Sequence, residues 1–592
     1  MRRINERTGR VLLTCLLSSI MPLSAADDAV PAKTPATAAP TSEIEQLKQM
    51  LVDQQKQINE LRQALAQQPK KESEGSVAAT AAALAAAVVP AVDPAPVSTF
   101  RNFGQVASTT AMLPPAAFAI PAKPFPLPQK SPTGATASSQ NPCEQDVDQV
   151  IPTYFHLGHI CLVPIGFMDL TPFWRDKNAA SSMGSNFGSV PYNNTANGNL
   201  SEFHFSSQNS RIGFRIDGDW KGTHFIGYNE FDFNGTSGST SLAVSNGAIV
   251  PRLRLFWVDV RKSKVEFLAG QSWSLLTPNR SGLSALPGDL FYGQVIDINY
   301  IAGLTWTRQP GMRVLFHPTN QVTFGFSAEQ PDQYIGNSAG GSLITLPAAA
   351  SLSALAGTQL DNSQNISLGN YLAEPAVTPD FIAKLAFDPN SRIHFEVGGI
   401  ESNFKTVNAA APFKTHNTAE GGGLLFGFNV ALLKNFRLIS TNFASDGDGR
   451  YLFGQAPDLI VRANGSLSPV KSDSTIDGFE ATLGKTLIYA YYGGIFIDRN
   501  TAVDTGATTA KIGYGYVGSP NSQNRAINEI TFGFNQTVWR DPRYGAFNVM
   551  GQYEWLERAP WYVAAGAPKE THDNTIYFNI RYTLPGAMPN FN

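Results

Sequence analysis

The sequence predicts an all-β fold: a transmembrane antiparallel β-barrel of about 16 strands, preceded by an N-terminal α-helical coiled coil and a disordered linker. Three observations predict it: period-two alternation over most of the chain, an export leader in front, and a strand that closes the patterned region. Ile576, Phe578, Ile580, Tyr582 and Leu584 share one face of the last strand, with Tyr577, Asn579 and Arg581 on the other. Phe547, Val549, Gly551, Tyr553 and Trp555 alternate in the same way with Asn548, Gln552 and Glu554. Ile530, Phe532 and Phe534 oppose Glu529, Thr531 and Asn535, and Phe231 and Phe233 oppose Glu230 and Asp232. Bulky apolar side chains on one face and charged or amide groups on the other suit a wall with lipid outside and water inside. A soluble antiparallel sheet with one solvated face carries the same alternation. Aromatics near the strand ends and the leader favour the barrel.

The leader spans residues 1–26. Arg2, Arg3, Arg7 and Arg10 precede the short apolar run Val11–Ile20, and Ser24-Ala25-Ala26 supplies the small residues of a cleavage site. Cleavage leaves Cys143 and Cys161, an even pair that in an oxidising compartment reads as one disulfide, with two free thiols as the alternative.

Residues 42–68 form a periplasmic coiled coil. Ser42 and Glu45 make a capping box. Ile44, Leu47, Leu51, Ile58, Leu61 and Leu65 then occupy a and d positions, with Gln54 as the polar exception. This seam predicts an oligomer and does not fix its number; a lone amphipathic helix is the alternative. Residues 69–150 are rich in Ala and Pro and read as a semi-extended linker.

The barrel occupies residues 151–592. Roughly 430 residues, at about 25 to 28 per strand with its share of loop, give about 16 strands. The Gly/Ser/Ala-rich stretches 235–249, 336–371 and 500–526 are expected as extracellular loops, and Asp388-Pro389-Asn390-Ser391 as a periplasmic turn.

The formal net charge of −3, with only 15% charged residues, gives no basic surface for nucleic acid. No constellation calls for a cofactor, a metal or catalysis. His156, His159 and Cys161 have metal-like spacing but lack a fourth ligand nearby, and Asp446-Gly447-Asp448-Gly449 reads as a turn. The scattered His204, His224, His317 and His394 mark no nucleophile.

A channel needs a hydrated constriction whose charge sorts solutes. Arg211 and Arg215 lie on one face of a strand, and Arg252 and Arg254 on one face of another, with Leu253, Leu255 and Trp257 expected toward lipid. Together these arginines predict a positive stripe, with Lys384 a weaker candidate, and Arg313 and Arg581 likewise. Glu230, Asp232 and Asp259 supply countercharge and a transverse field. The competing reading is that these groups pair with one another and brace the wall.

The motifs, taken in order, resemble those of the DcaP-like outer-membrane porins. They are Asn209-Ser210-Arg211 leading into Gly213-Phe214, then Glu230 to Phe233, Pro251 to Arg254 and Gly270-Gln271-Ser272-Trp273. Pro379-Asp380-Phe381, Gly447 to Tyr451, Arg543 to Ala546 and Gln552-Tyr553 follow. The long Ala/Pro linker and the tail beyond Leu584 depart from the pattern. The resemblance implies a trimer in the outer-membrane lipid that passes small hydrophilic, preferentially anionic solutes by passive diffusion. The alternative from the residues is a structural tether: a barrel anchored in the outer membrane that reaches the periplasmic layer through its coiled coil.

Overall fold

The computed structural model describes residues 155–157, 160–179, 183–235, 250–336, 343–347, 378–407, 416–505, 509–541 and 544–585. The leader, the coiled coil, the linker and Cys143 lie outside the described residues, and so do parts of the expected loops 235–249 and 336–371. Among the described residues no helix is long and apolar enough to cross a membrane, and the regular structure is mainly strand.

Sixteen staves form a closed antiparallel barrel. In chain order they are β1 (Ile160–Arg175), β2 (Glu202–Ser206 continued by Arg211–Trp220), β3 (Thr223–Gly235), β4 (Val250–Lys262), β5 (Val265–Trp273) and β6 (Arg308–Thr319). Next come β7 (Val322–Glu329), β8 (Asp380–Asn390), β9 (Ile393–Val407), β10 (His416–Leu433) and β11 (Phe436–Asp446). The last are β12 (Lys471–Leu483), β13 (Thr486–Ile497), β14 (Asn524–Asp541), β15 (Gly545–Pro560) and β16 (Thr571–Thr583). The two pieces of β2 count as one stave because both pair with β1, through Arg175↔Glu202 and Ile160↔Gly218. Closure comes from β1 and β16, in register from Phe167↔Thr583 to Arg175↔Thr575. Closure matters in lipid, where an unpaired strand edge finds no water to satisfy it.

Short turns join the staves at one rim and long connections at the other. The β2–β3 turn places Lys221 and Gly222 at φ 51° and 71°, the left-handed pair that matches the twist of a two-residue hairpin. Among the long connections, 447–470 carries the small hairpin Leu459–Val461 with Leu467–Pro469. Residues 498–523 carry another, Asn500–Thr505 with Thr509–Tyr514, in part of the stretch expected as a loop.

The wall is apolar outside and polar inside. On β16, Ile576 and Phe578 are 52% and 44% exposed, while Tyr577 between them and Asn579 and Arg581 beyond them are buried. On β14, Ile530, Phe532 and Phe534 face out while Glu529, Thr531 and Asn535 face in. The alternation read from the sequence therefore places these faces correctly.

One strand departs from it. Along β4, Arg254 and Leu255 are both buried, because the pairing with β3 slips between Leu255↔Glu230 and Leu253↔Phe231. This bulge turns the lower half of the strand over. Leu253 faces outward as expected, but Leu255 and Trp257 point inward, and Phe256, Val258 and Val260 face out instead.

Candidate functional site

The connection between β5 and β6, residues 274–307, folds into the barrel. Leu275, Leu286, Phe291, Tyr292, Ile296 and Leu304 along it are all buried. A segment without a strand partner must place its backbone donors elsewhere. Here the wall receives them. Leu275 N–H donates to Glu329 Oε1 at 2.8 Å and Asn279 N–H to Glu396 Oε2 at 3.1 Å. Gly282 N–H donates to Asp388 Oδ2 at 3.0 Å and Gln294 N–H to Tyr491 Oη at 3.1 Å. Ile296 N–H reaches Gln552 Oε1 at 2.5 Å and Ala302 N–H reaches Glu529 Oε2 at 2.7 Å. Four of these six acceptors are carboxylates, which form the stronger, charge-assisted bonds.

Side chains add to the attachment. Lys384 donates to Thr277 O at 2.8 Å and Asn279 Oδ1 at 3.0 Å while pairing with Glu396 at 2.9 Å. Arg280 grips both carboxylate oxygens of Glu480. At Gly303, φ is +88°, and an added Cβ would lie 2.6 Å from Thr475 O and 2.7 Å from Gly494 O. Backbone meets backbone there, so only glycine fits.

The predicted stripe lies on the inner face of β2–β4. Arg211, Arg215, Arg254, Glu230, Asp232, Asp259 and Lys384 are buried, and Arg252 is half-buried. The arginines do not stand as bare cations. Arg254 donates through Nε to Glu230 at 2.7 Å, through Nη1 to Asp232 at 2.7 Å and through Nη2 to Tyr300 Oη at 2.9 Å. Arg252 binds Asp232 twice, at 3.0 and 2.6 Å, and Arg215 pairs with Asp217 at 2.7 Å. Bracing of the wall, the competing reading of the residues, thus describes Arg252 and Arg254. Arg211 differs: its nearest carboxylate contact, Nη1 to Glu230, is 3.7 Å, and its Nε and Nη1 have no hydrogen-bond partner. Lys384 belongs to the attachment of the infolded segment rather than to the stripe.

On the other side of β16 and β1 stands an acidic sector that sequence reasoning did not single out. Glu529 on β14 and Glu554 on β15 are fully buried, and Asp297 of the infolded segment joins them. Ser185 links these groups, its N–H donating to Asp297 at 2.7 Å and its hydroxyl to Glu554 at 2.6 Å. Tyr577 Oη lies 3.2 Å from Asp297 Oδ2. The inward position of both glutamates was readable from alternation; their meeting with Asp297 was not. Within the infolded segment, burial pushes the Asp289 carboxyl up to about 6, with the Ser284 hydroxyl opposing.

Cys161 on β1 is disulfide-bonded, with its partner outside the described residues. Asp448, at the turn after β11, accepts a hydrogen bond from Ser402 at 2.6 Å.

No protein-family profile matches the chain, and no curated protein does. Solved structures do. The outer-membrane channel DcaP of Acinetobacter baumannii superposes with a TM-score of 0.51 at 15% identity, covering 72% of this chain and 99% of that one. OmpT of Vibrio cholerae gives a TM-score of 0.37 at 10% identity over 73% and 99% of the two chains. OprB of Pseudomonas putida gives 0.37 at 9% over 71% and 94%. The resemblance carried by the sequence motifs is met at the level of the fold: this chain has the sixteen-strand barrel architecture of the outer-membrane channel DcaP.

Proposed function

We propose that the chain is a DcaP-like outer-membrane porin, passing small hydrophilic solutes by passive diffusion with anions preferred. The observation that carries this reading is the inversion of the wall, with aliphatic and phenyl groups outside and paired ions inside. A soluble protein gains nothing from that arrangement, whereas a barrel in lipid requires it. The segment 274–307 then serves as the constriction. Arg211, a buried cation on the inner face whose Nε and Nη1 have no hydrogen-bond partner, is the charge that favours a passing carboxylate or phosphate. β1 starts and β16 ends at the short-turn rim, so the preceding coiled coil is proposed to hang in the periplasm and to hold a homotrimer together.

Single-channel conductance in a planar bilayer, with reversal potential under a salt gradient, tests the proposal. Anion preference that falls in Arg211→Gln supports it. Cation preference keeps the channel and removes the role of Arg211. Absence of any conductance from a folded barrel favours the tether reading, in which the barrel is only an anchor.

A further inference from the structure

The short-turn rim carries a charge pattern that the lumen does not use. Its described turns bear the exposed cations Lys221 after β2, Lys262 and Lys264 between β4 and β5, Arg392 before β9, Lys434 after β10 and Lys485 before β13. None of the six has an ion-pair partner among the described residues. The carboxylates close to them are engaged: Asp219 meets His224 at 2.9 Å and Asp388 meets His394 at 2.8 Å. Among the described residues of these turns no carboxylate is exposed. The opposite rim is mixed, with Glu420, Asp446 and Glu570 exposed alongside the cations Lys471 and Lys569.

Backbone bonds order the turns around the rim. Ala431 N–H donates to Arg392 O at 2.7 Å, Thr482 N–H to Asn435 O at 2.8 Å and Thr537 N–H to Lys485 O at 3.0 Å. Arg392, Lys434 and Lys485 therefore stand on successive turns, each two staves from the next, or about 10 Å apart along the rim. The pairing Thr223↔Lys262 joins the Lys221 turn to that of Lys262 and Lys264 in the same way.

The collar also faces the lipid side. Trp220, Val265, Leu432 and Leu483 are exposed on the outer face, and each lies within two residues of a collar cation. Lys221 Nζ sits over the Trp220 ring, 4.9 Å from its centroid. An outward indole thus holds the ammonium at the edge of the apolar belt, the level at which the headgroups of a bilayer begin.

We propose that this collar binds the anionic, phosphate-bearing headgroups of the phospholipid leaflet at the short-turn rim. Charge complementarity selects an anion, since the cations outnumber the carboxylates able to answer them. The apolar neighbours select a lipid over a soluble anion, because its acyl chains cover Trp220, Val265, Leu432 and Leu483 while its phosphate meets the adjacent cation. The collar then holds the short-turn rim at the surface of that leaflet. The proposal rests on the membrane-embedded barrel and not on channel activity.

The test is thermal unfolding of the full chain, followed by heat-modifiable migration, in vesicles of phosphatidylcholine with and without phosphatidylglycerol. Phosphatidylglycerol is expected to raise the unfolding temperature of the parent at low salt, and high salt to erase the rise. Replacing all six cations together (Lys221→Gln, Lys262→Gln, Lys264→Gln, Arg392→Gln, Lys434→Gln and Lys485→Gln) is expected to abolish it. Arginine at the five lysine positions should keep the rise, which separates lost charge from a damaged fold. Lys471→Gln with Lys569→Gln, at the opposite rim, should keep it too. A parent indifferent to phosphatidylglycerol, or an equal rise in the sixfold glutamine variant, overturns the proposal. A rise of the same size from inorganic phosphate in phosphatidylcholine vesicles overturns lipid as the ligand. Collar-dependent retention on isolated cell-wall sacculi, with no effect of phosphatidylglycerol, overturns it in favour of an anionic wall polymer. Release of the protein from outer membranes by alkaline carbonate overturns the embedded reading itself.

Discussion

Arg280 and Glu480 lie 200 positions apart in the chain and hold each other through two nitrogen–oxygen contacts of 2.6 and 3.0 Å. The pair fastens the middle of the infolded segment to β12, and Tyr491 donates to the same carboxylate at 2.7 Å. Removing one partner leaves the other buried and uncompensated, a loss of about 3–5 kcal/mol in such sites. Glu480→Gln is therefore expected to raise amide hydrogen exchange across 274–307 while the staves stay protected. Exchange that is unchanged in the segment would show that the pair does not fasten it.

Gly303 offers a steric route to the same end. Gly303→Val places side-chain atoms where Thr475 O and Gly494 O already stand, so the segment must lift from β12–β13. Conductance is expected to become larger and noisier than that of the parent, with heat-modifiable migration retained. A steady conductance of parental size would show that the close contact carries no constraint on the pore.

Arg254 neutralises two carboxylates at once. Arg254→Met leaves Glu230 and Asp232 to Arg252 and the distant Arg211, and makes the sector more negative by one charge. Reversal potentials should move toward cations, and chemical stability should fall by about 3–5 kcal/mol in urea titrations. Arg252→Met removes a half-exposed group and is expected to cost about 0–1 kcal/mol with a smaller selectivity change.

Asp448 titrates near neutrality. Burial raises its carboxyl from 3.8 to about 7, Asp380 and Asp446 add to the rise, and the Ser402 hydrogen bond and Arg450 oppose it. A raised acid favours the protonated folded state: its stabilisation is complete below pH 4 and is lost as pH rises through 7. Protease cleavage within 449–458 should therefore increase between pH 5 and pH 8. Asp448→Asn should flatten that dependence; a dependence of equal size in the variant would assign it to another group.

How much of this was legible beforehand depends on distance along the chain. Alternation is local, so the faces of β14, β15 and β16 could be read directly, and their number followed from length. The bulge at Arg254–Leu255 could not, because one extra residue leaves the composition of the strand unchanged while inverting Leu255 and Trp257. The segment 274–307 carries Leu, Phe and Tyr without a period, since its contacts are to a curved wall rather than to a layer. Expectation fell on the glycine-rich stretches instead. The acid partners of the arginines were visible as residues, but Arg254 meeting Glu230 and Asp232 together is a product of the bulge.

The pairing of β1 with β16 sets an order of events. The first stave waits for its second neighbour until nearly the whole polypeptide has been delivered, since Arg175 must find Thr575. Closing so long a loop is entropically unfavourable and kinetically slow. Until then two unpaired edges and a phenylalanine-rich outer surface stand open, and each is a template for aggregation. The interval before the first and last strands meet is therefore the one in which such a chain is most prone to aggregate.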